Sequence, residues 1–194
     1  MPDNNFDNIA ANMGQMLSAA QHCLLERQIL PCLTLLYAGM DIMSFLESAP
    51  KEPVNVHFKR WVENNLLPLT NWTCTAVDLY AARCAVVHTF TAESNLSNTG
   101  QAKMILYAHS GADPAKLQKV AGHVGWTVEY LRVEDMLTFF GTAVLNYLTI
   151  VSSDPVRKSL VEKKAGLWFG DTKEGLIDEY LAAKTMAEQA EEVS

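Results

Sequence analysis

Apolar residues recur at helical spacing through most of the first 90 residues of the sequence. Residues 4–28 carry one such stripe, and proline-containing breaks divide the chain beyond residue 28 into three further helices, at about 30–48, 54–66 and 72–89. We expect Asn71 or Thr73 to cap the last of these. In a strand, the side chains of one face recur every second residue. Because the apolar residues recur at the longer, helical period, the first half of the chain is predicted to be helical.

The sequence changes in character after residue 90. Residues 91–100 are polar and turn-forming, and residues 104–108 and 126–131 have the length and composition of short strands. Between the strands, Asp113-Pro114 begins a short helix and Gly122 ends it. This connection is long enough for either strand direction, so only the existence of a small ribbon is predicted.

Helices resume after the ribbon. We expect one at about 134–152, a short one from Asp154-Pro155 to near Gly166, and a last one at about 172–190. Asp171 and Glu174 make a capping-box-like start for the last helix. Residues 171–194 hold seven carboxylates and two lysines, which is typical of a solvated outer face, with a partner-docking helix as the alternative.

The run from 136 to 153 contains no charge and approaches the length of a membrane span. Gly141 and Asn146 are poor lipid-facing residues, so we expect a buried core helix and no membrane association. The N-terminus has no basic region typical of a signal peptide. The four cysteines form no C-x-x-C pair, which favours reduced thiols and a cytoplasmic location.

Composition narrows the function classes. The 194 residues carry 15 Lys plus Arg against 22 Asp plus Glu, a formal net charge of −7. This balance disfavours a protein that tracks nucleic-acid phosphates along a basic stripe, but it leaves room for an enzyme with a small basic cleft. Phosphate-loop, dinucleotide and nucleophile-elbow motifs are absent, and the five histidines lack zinc-site spacing, so no cofactor and no metal are predicted.

One segment combines residues that carry chemistry. Arg83 and His88 interrupt an otherwise largely apolar helix, with four residues between them. A guanidinium presents planar donors suited to phosphate oxygens, and an imidazole transfers protons near neutral pH. Together they are a minimal set for cutting RNA without a metal. The histidine would move the proton of a ribose 2′-hydroxyl or of the leaving oxygen, and the arginine would stabilise the phosphate charge.

Geometry limits this interpretation. On an ideal helix Arg83 and His88 point about 140° apart, so they converge only if the helix bends or ends near His88, or if a dimer supplies a second copy. The alternative is structural: a histidine that caps carbonyls and an arginine that pairs with a carboxylate. Cys84 and His88, four residues apart, are a weaker candidate for a thiolate–imidazole pair.

Asp41 is a further candidate on the second helix. It lies on a narrow polar stripe at helical spacing, made by Tyr37, Asp41, Ser44 and Ser48. A carboxylate there would hold Arg83 in place. The alternative is simple exposure of Asp41 to water.

The string LYAARCAVVHTFTAES, followed by SNTGQAK and a short strand, resembles bacterial proteins of the HEPN superfamily over about residues 30–110. The resemblance implies a helical bundle whose Arg and His motif cuts RNA in toxin–antitoxin, defence and stress systems. Arg83 and His88 match that pair. The residue after the arginine is often polar in active members, and here it is Cys84.

The resemblance also implies a homodimer in which motifs from two chains face one cleft. Tyr80, one turn before Arg83, and Thr89, next to His88, are possible supporting residues. An antitoxin protein and an RNA or nucleotide are possible partners.

The sequence therefore predicts a mainly α, HEPN-like single domain over residues 1–194, with a β-ribbon insertion at about 102–131. The predicted function is a metal-independent endoribonuclease, in the role of a toxin or defence effector, with Arg83 and His88 as catalytic residues. The first alternative is a catalytically inactive module that binds a nucleotide or a protein partner. The second is a helical scaffold in which Arg83 and His88 only support the structure.

Overall fold

The computed structural model describes residues 5–123 and 128–165. Over these ranges the protein is mainly helical, with eight α-helices and one two-stranded sheet. The helices are α1 (Asn5–Leu25), α2 (Ile29–Phe45), α3 (Val54–Trp61), α4 (Ala76–Cys84), α5 (Asn95–Asn98), α6 (Pro114–His123), α7 (Val133–Ser152) and α8 (Pro155–Ala165). The strands are β1 (Met104–Ala108) and β2 (Val128–Arg132). The mainly helical class with a small sheet is therefore confirmed.

Helix α2 is the centre of the fold. It packs against α1, α3 and α7, as its composition requires, because nearly all of its residues are apolar. At the crossing with α7 the Phe140 ring lies close against Gly39. A Cβ placed on Gly39 would lie 2.7 Å from Cε1 of Phe140, so only a glycine fits there without moving the ring.

Helix α7 is the one helix in the described ranges that is long and apolar enough to cross a membrane. Its buried residues, among them Met136, Phe140 and Tyr147, follow one face of the helix, which packs against α1 and α2. The opposite face exposes Leu145, Asn146 and several threonines. The sequence predicted a buried core helix, whereas the structure buries only this one face.

The sheet is parallel, a direction that the sequence left open. Met104 pairs with Val128 and Ala108 with Arg132, and α6 is the crossover between the strands. Parallel strands need such a crossover, because a tight turn can join only antiparallel neighbours. The predicted start of the second strand, residues 126 and 127, lies outside the described residues.

The beginning of α4 corrects one prediction. The cap is Thr75, and neither Asn71 nor Thr73 has this role. The Thr75 hydroxyl accepts from the Asp78 amide, and the Asp78 carboxylate accepts from the Thr75 amide, so the pair forms a capping box. Asp78 also accepts from the backbone amide of Lys103 at 2.6 Å, which joins α4 to the start of β1.

Two further segments differ from the predictions. The third helix becomes a π-helix at Val62–Leu66 and then a 3-10 turn that contains Pro68, so it does not continue as α-helix to residue 66. The polar run 91–100 contains the short helix α5, capped by Ser94. The predicted last helix, at 172–190 with Asp171 and Glu174, and the predicted helix end at Gly166 lie outside the described residues.

All four cysteines are free thiols, as the sequence predicted. Cys32 and Cys74 are buried, and Cys23 and Cys84 are partly exposed. Burial raises the pKa of Cys32 to about 11 and that of Cys74 to about 12, which keeps both thiols protonated at neutral pH.

His57 is a buried titratable group that joins α3 to α2. The residue is 4% exposed, and Nδ1 lies 2.9 Å from the Ser44 hydroxyl. That hydroxyl donates to the Asp41 carbonyl, so it accepts from His57 and the neutral ring carries its proton on Nδ1. Burial lowers the pKa of His57, against the opposing charges of Glu52 and Asp41.

We therefore expect stability to fall as the pH drops below about 6.5, the ordinary histidine pKa, because the unfolded chain then binds a proton that the folded chain resists. The measurement is the urea-unfolding free energy of the wild type and of His57→Asn between pH 7.5 and 5. The variant should lose less stability than the wild type over this range. An equal loss in both proteins would contradict the assignment, and exposed His22→Asn is the matched control.

The close contact at Gly39 leads to a second prediction, which concerns the free energy of unfolding. Gly39→Ala should destabilise the protein by about 1–3 kcal/mol, because the new methyl group overpacks the α2–α7 crossing. Gly14→Ala is the control, because nothing lies within 4 Å of a Cβ at that helical position. It should stabilise the protein by about 0.5–1 kcal/mol. Urea unfolding measures both changes, and effects of the same sign would contradict the prediction.

Candidate functional site

A π-helical segment brings Arg83 and His88 together. Helix α4 ends at Cys84, and the chain continues as a π-helix over Ala85–Thr89. Bonding from residue i to i+5 widens the turn, so a residue five positions on lies close to the first instead of on another face of the helix. Nη1 of Arg83 lies 2.8 Å from Nε2 of His88. The sequence required a bend or a helix end near His88, or a dimer; the structure instead has this widened turn, and one chain is enough to form the contact.

Asp41 fixes the other side of the guanidinium. Arg83 donates to the same carboxylate oxygen, Oδ2, from Nε at 2.8 Å and from Nη2 at 2.6 Å. The other oxygen, Oδ1, is buried and has no hydrogen-bond partner among the described residues. The side chains of Arg83 and Asp41 are 14% and 22% exposed, so solvent screens this pair only in part. The sequence proposed that Asp41 holds Arg83, and the two side chains have that geometry.

Two opposing effects act on the charge of Arg83. Burial, the largest single effect, lowers the pKa of the guanidinium, whereas the hydrogen bonds and charges of Asp41 and Cys84 together raise it, and the net pKa lies above the ordinary value. Arg83 is therefore a fixed cation. It is half-buried, yet one of its nitrogens reaches an exposed histidine.

The Arg83 contact determines the tautomer of His88. A guanidinium has only donors, so Nε2 of His88 must accept, and the neutral ring carries its proton on Nδ1. Nε2 is the atom occupied by Arg83 in this arrangement. It becomes available as a proton acceptor only when Arg83 finds another acceptor.

Tyr80 and Thr89, the two predicted supporting residues, make different kinds of contact. Tyr80 packs edge-on against Phe58, with ring centroids 5.6 Å apart. Burial and the neighbouring Cys84 raise the pKa of the Tyr80 phenol, so it stays protonated at neutral pH. The Thr89 hydroxyl donates to the Ala85 carbonyl at 2.8 Å, which is a helix-end hydrogen bond.

The Cys84–His88 pair does not form. Nε2 of His88 faces Arg83, and no hydrogen bond joins the ring to the Cys84 thiol in the part of the chain that the structure describes. A thiolate–imidazole nucleophile therefore has no support in this arrangement. Among the same residues, no group of three or more His, Cys, Asp or Glu side chains is placed to hold a metal ion.

A cleft of about 850 Å³ adjoins the pair. Tyr80, Cys84, His88 and Thr89 lie on its wall, and Arg83 reaches this wall through its contact with His88. The sequence did not predict the other polar residues of the cleft, which come from α3 and from the segment after the π-helix: Asn55, Lys59, Thr91, Glu93, Ser94, Asn95, Asn98 and Gln101. Their separation along the chain left no pattern from which to group them.

A scan against protein-family models, a search of curated proteins and a search of solved structures each found no match to this chain. What the site does must therefore be inferred from its own contacts, which are those of Asp41, Arg83 and His88 beside the cleft.

The Asp41–Arg83 ion pair leads to a prediction about the coupling energy between the two side chains. A double-mutant cycle with Asp41→Asn and Arg83→Met should give a coupling energy of about 1–3 kcal/mol, because each single change leaves a half-buried polar partner unpaired. The matched control is the same cycle on Glu52 and Arg60, an ion pair whose arginine is 44% exposed. Its coupling should be smaller, because water screens it. Equal coupling energies would contradict a special role for Asp41.

Proposed function

We propose that the protein is a metal-independent endoribonuclease of the HEPN type. The observation that carries the proposal is the 2.8 Å contact between Arg83 and His88 at the wall of an open cleft, with Asp41 behind the arginine. A fixed cation next to a histidine supplies the two functions that cleavage of RNA through its own 2′-hydroxyl needs.

The reaction is an attack of the ribose 2′-oxygen on the adjacent phosphorus. The bond from phosphorus to the 5′-oxygen breaks, and the products end in a 2′,3′-cyclic phosphate and a 5′-hydroxyl. His88 accepts the proton of the 2′-hydroxyl, and an imidazolium returns a proton to the leaving 5′-oxygen. Atoms and charge balance without water, oxidant or metal.

Substrate binding would switch His88 into its working state. A phosphate oxygen is charged and is a stronger acceptor for Nη1 of Arg83 than a neutral imidazole. The phosphate therefore replaces His88 as the partner of Arg83, and Nε2 of His88 is freed to take the proton. Asp41 keeps the guanidinium in place during this exchange, because it holds Nε and Nη2 and leaves Nη1 to move between acceptors.

We also propose that the active form is a homodimer, as the HEPN resemblance implies. Two copies facing one cleft would supply one histidine as base and another as acid. They would also place two arginines around the phosphate, a local positive site on a chain of net charge −7. A role as a toxin or defence effector, with an antitoxin protein as partner, rests on the same resemblance.

The alternative is an inactive module that binds a nucleotide or a protein. Two observations favour it: Cys84 stands where a polar residue often follows the arginine in active members, and Nε2 of His88 is occupied in the free protein. Wild-type cleavage separates the cases, because a binding module cuts no RNA. The variant Cys84→Asn then tests the role of the cysteine: if the cysteine limits activity, the variant should cleave RNA faster than the wild type.

The test is cleavage of unstructured RNA in EDTA, with analysis of the 3′ ends. We expect cyclic phosphate products, a loss of about 10²–10⁴ in rate for His88→Ala and of about 10²–10³ for Arg83→Ala. Asp41→Asn should lose about 10–100-fold, as a residue that positions the arginine. His22→Ala, at an exposed histidine on α1, is the matched control and should leave the rate unchanged.

Three results would overturn the proposal or replace it. RNA binding that depends on Arg83 without cleavage would establish the inactive module. Equal loss of activity in His22→Ala would show that the rate does not report on this site. Loss of stability in both Arg83→Ala and His88→Ala, with no activity in the wild type, would make the pair structural.

A further inference from the structure

The polar residues that line the cleft beside His88 are mostly uncharged, with Lys59 and Glu93 as the charged exceptions. Four carboxamide side chains lie on it, from two separate parts of the chain: Asn55, Asn95, Asn98 and Gln101. All four are exposed, and none of these side-chain amides is hydrogen-bonded within the part of the chain that the structure describes. Leu96 and Val77 add apolar surface. A concave site with an apolar surface and unused donors and acceptors is suited to a small planar ligand.

Among the described residues, the lining of the same cleft contains one lysine and one carboxylate, that of Glu93. Lys59, on α3, lines the cleft and pairs with no carboxylate in the described ranges. Its neighbour Arg60 is by contrast tied to Glu52. On a chain with an acidic balance, an unpaired lysine near His88 is suited to binding a phosphate as a point charge.

Phe90 is an exposed aromatic residue at the end of the π-helix. Its φ of 52° lies in the left-handed region, and 63% of its surface is exposed. For a residue with a Cβ this conformation costs about 1–2 kcal/mol, and so exposed a ring gains little burial in return. Its chain neighbours Thr89 and Thr91 both line the cleft, and Phe90 itself lies just outside this set of lining residues. Such a ring is a platform on which a base can stack.

We propose that this cleft holds the unpaired nucleotide next to the phosphate that Arg83 binds. Phe90 stacks on the base, Lys59 binds the next phosphate, and the carboxamides of Asn98 and Gln101 read the base edge. A carboxamide presents one donor and one acceptor side by side, which matches the N6 and N7 atoms of adenine in two parallel hydrogen bonds. The preferred ligand is therefore single-stranded RNA with an adenine at this position. The choice of RNA as ligand rests on the proposed function.

The test measures binding and not cleavage. Fluorescence anisotropy in EDTA with a 2′-O-methyl pentanucleotide, which cannot be cut, gives the dissociation constant for a central adenine and for an abasic centre. The wild type should bind the adenine oligonucleotide about tenfold more tightly, the size expected for one well-placed base contact.

Variants then assign the contacts. Asn98→Asp should remove most of the preference for adenine, because it replaces the donor of the carboxamide with a second acceptor. Lys59→Gln should weaken the binding of both oligonucleotides equally and reduce its salt dependence by about one counterion. The matched controls are Asn146→Asp on α7 and Lys163→Gln on α8, which make the same changes of charge at exposed positions away from the cleft.

Phe90→Gly separates function from stability. Glycine adopts a positive φ without strain, so the melting temperature should stay the same or rise. The affinity for the adenine oligonucleotide should nevertheless fall about five- to tenfold, because the stacking surface is lost. A ring with only a structural role would lower the melting temperature instead.

The results distinguish this inference from the proposed function. Binding that depends on Lys59, Asn98 and Phe90 supports the cleft even if no RNA is cleaved. If RNA is cleaved and all three variants keep the oligonucleotide affinity of the wild type, the inference about the cleft is overturned, but the proposed nuclease activity stands. Equal weakening by the control variants, or no binding by the wild type, also overturns the inference.

Discussion

The burial of α2 is the constraint on which the rest of the structure depends. A helix that is apolar on nearly every side must be surrounded, so other helices pack around it, and each polar group that it carries has to find a partner inside the protein. The polar stripe predicted from the sequence does this with a different element at each position. Tyr37 bonds to Tyr107 on β1, Asp41 to Arg83 on α4, Ser44 to His57 on α3, and Ser48, just beyond α2, to Lys164 on α8.

The site follows from this stripe. Asp41 is held between its own buried helix and α4, so the guanidinium of Arg83 is anchored by a rigid part of the core. The π-helical turn then places His88 at the exposed end of the same arginine. One side of Arg83 is thus structural, and the other contacts His88 at the wall of the cleft. A cation whose position is set by the core and whose outer donor contacts a neutral, exposed partner is pre-organised for an anion.

Local pattern was enough to predict much of the fold. The helical stripes, the Asp113-Pro114 start of α6 and the polar face of α2 all depend on residues a few positions apart, where periodicity and capping act directly. The cap at Thr75 was missed because several cap-forming residues stand close together, and the reciprocal bond with Asp78 distinguishes one of them. The short helix α5 was missed because polar turn residues also form capped single turns.

The sequence pattern identified the candidate site residues, which are Arg83 and His88 on one helix and Asp41 on another. Tertiary packing brings these three residues together. The direction of the two strands, the widened turn over Ala85–Thr89 and the grouping of Lys59 with Asn98 in one cleft all involve contacts between distant or non-ideal parts of the chain. Periodicity describes how a segment repeats along its own axis. Which segments lie side by side depends on burying the shared core, and no single segment carries that information.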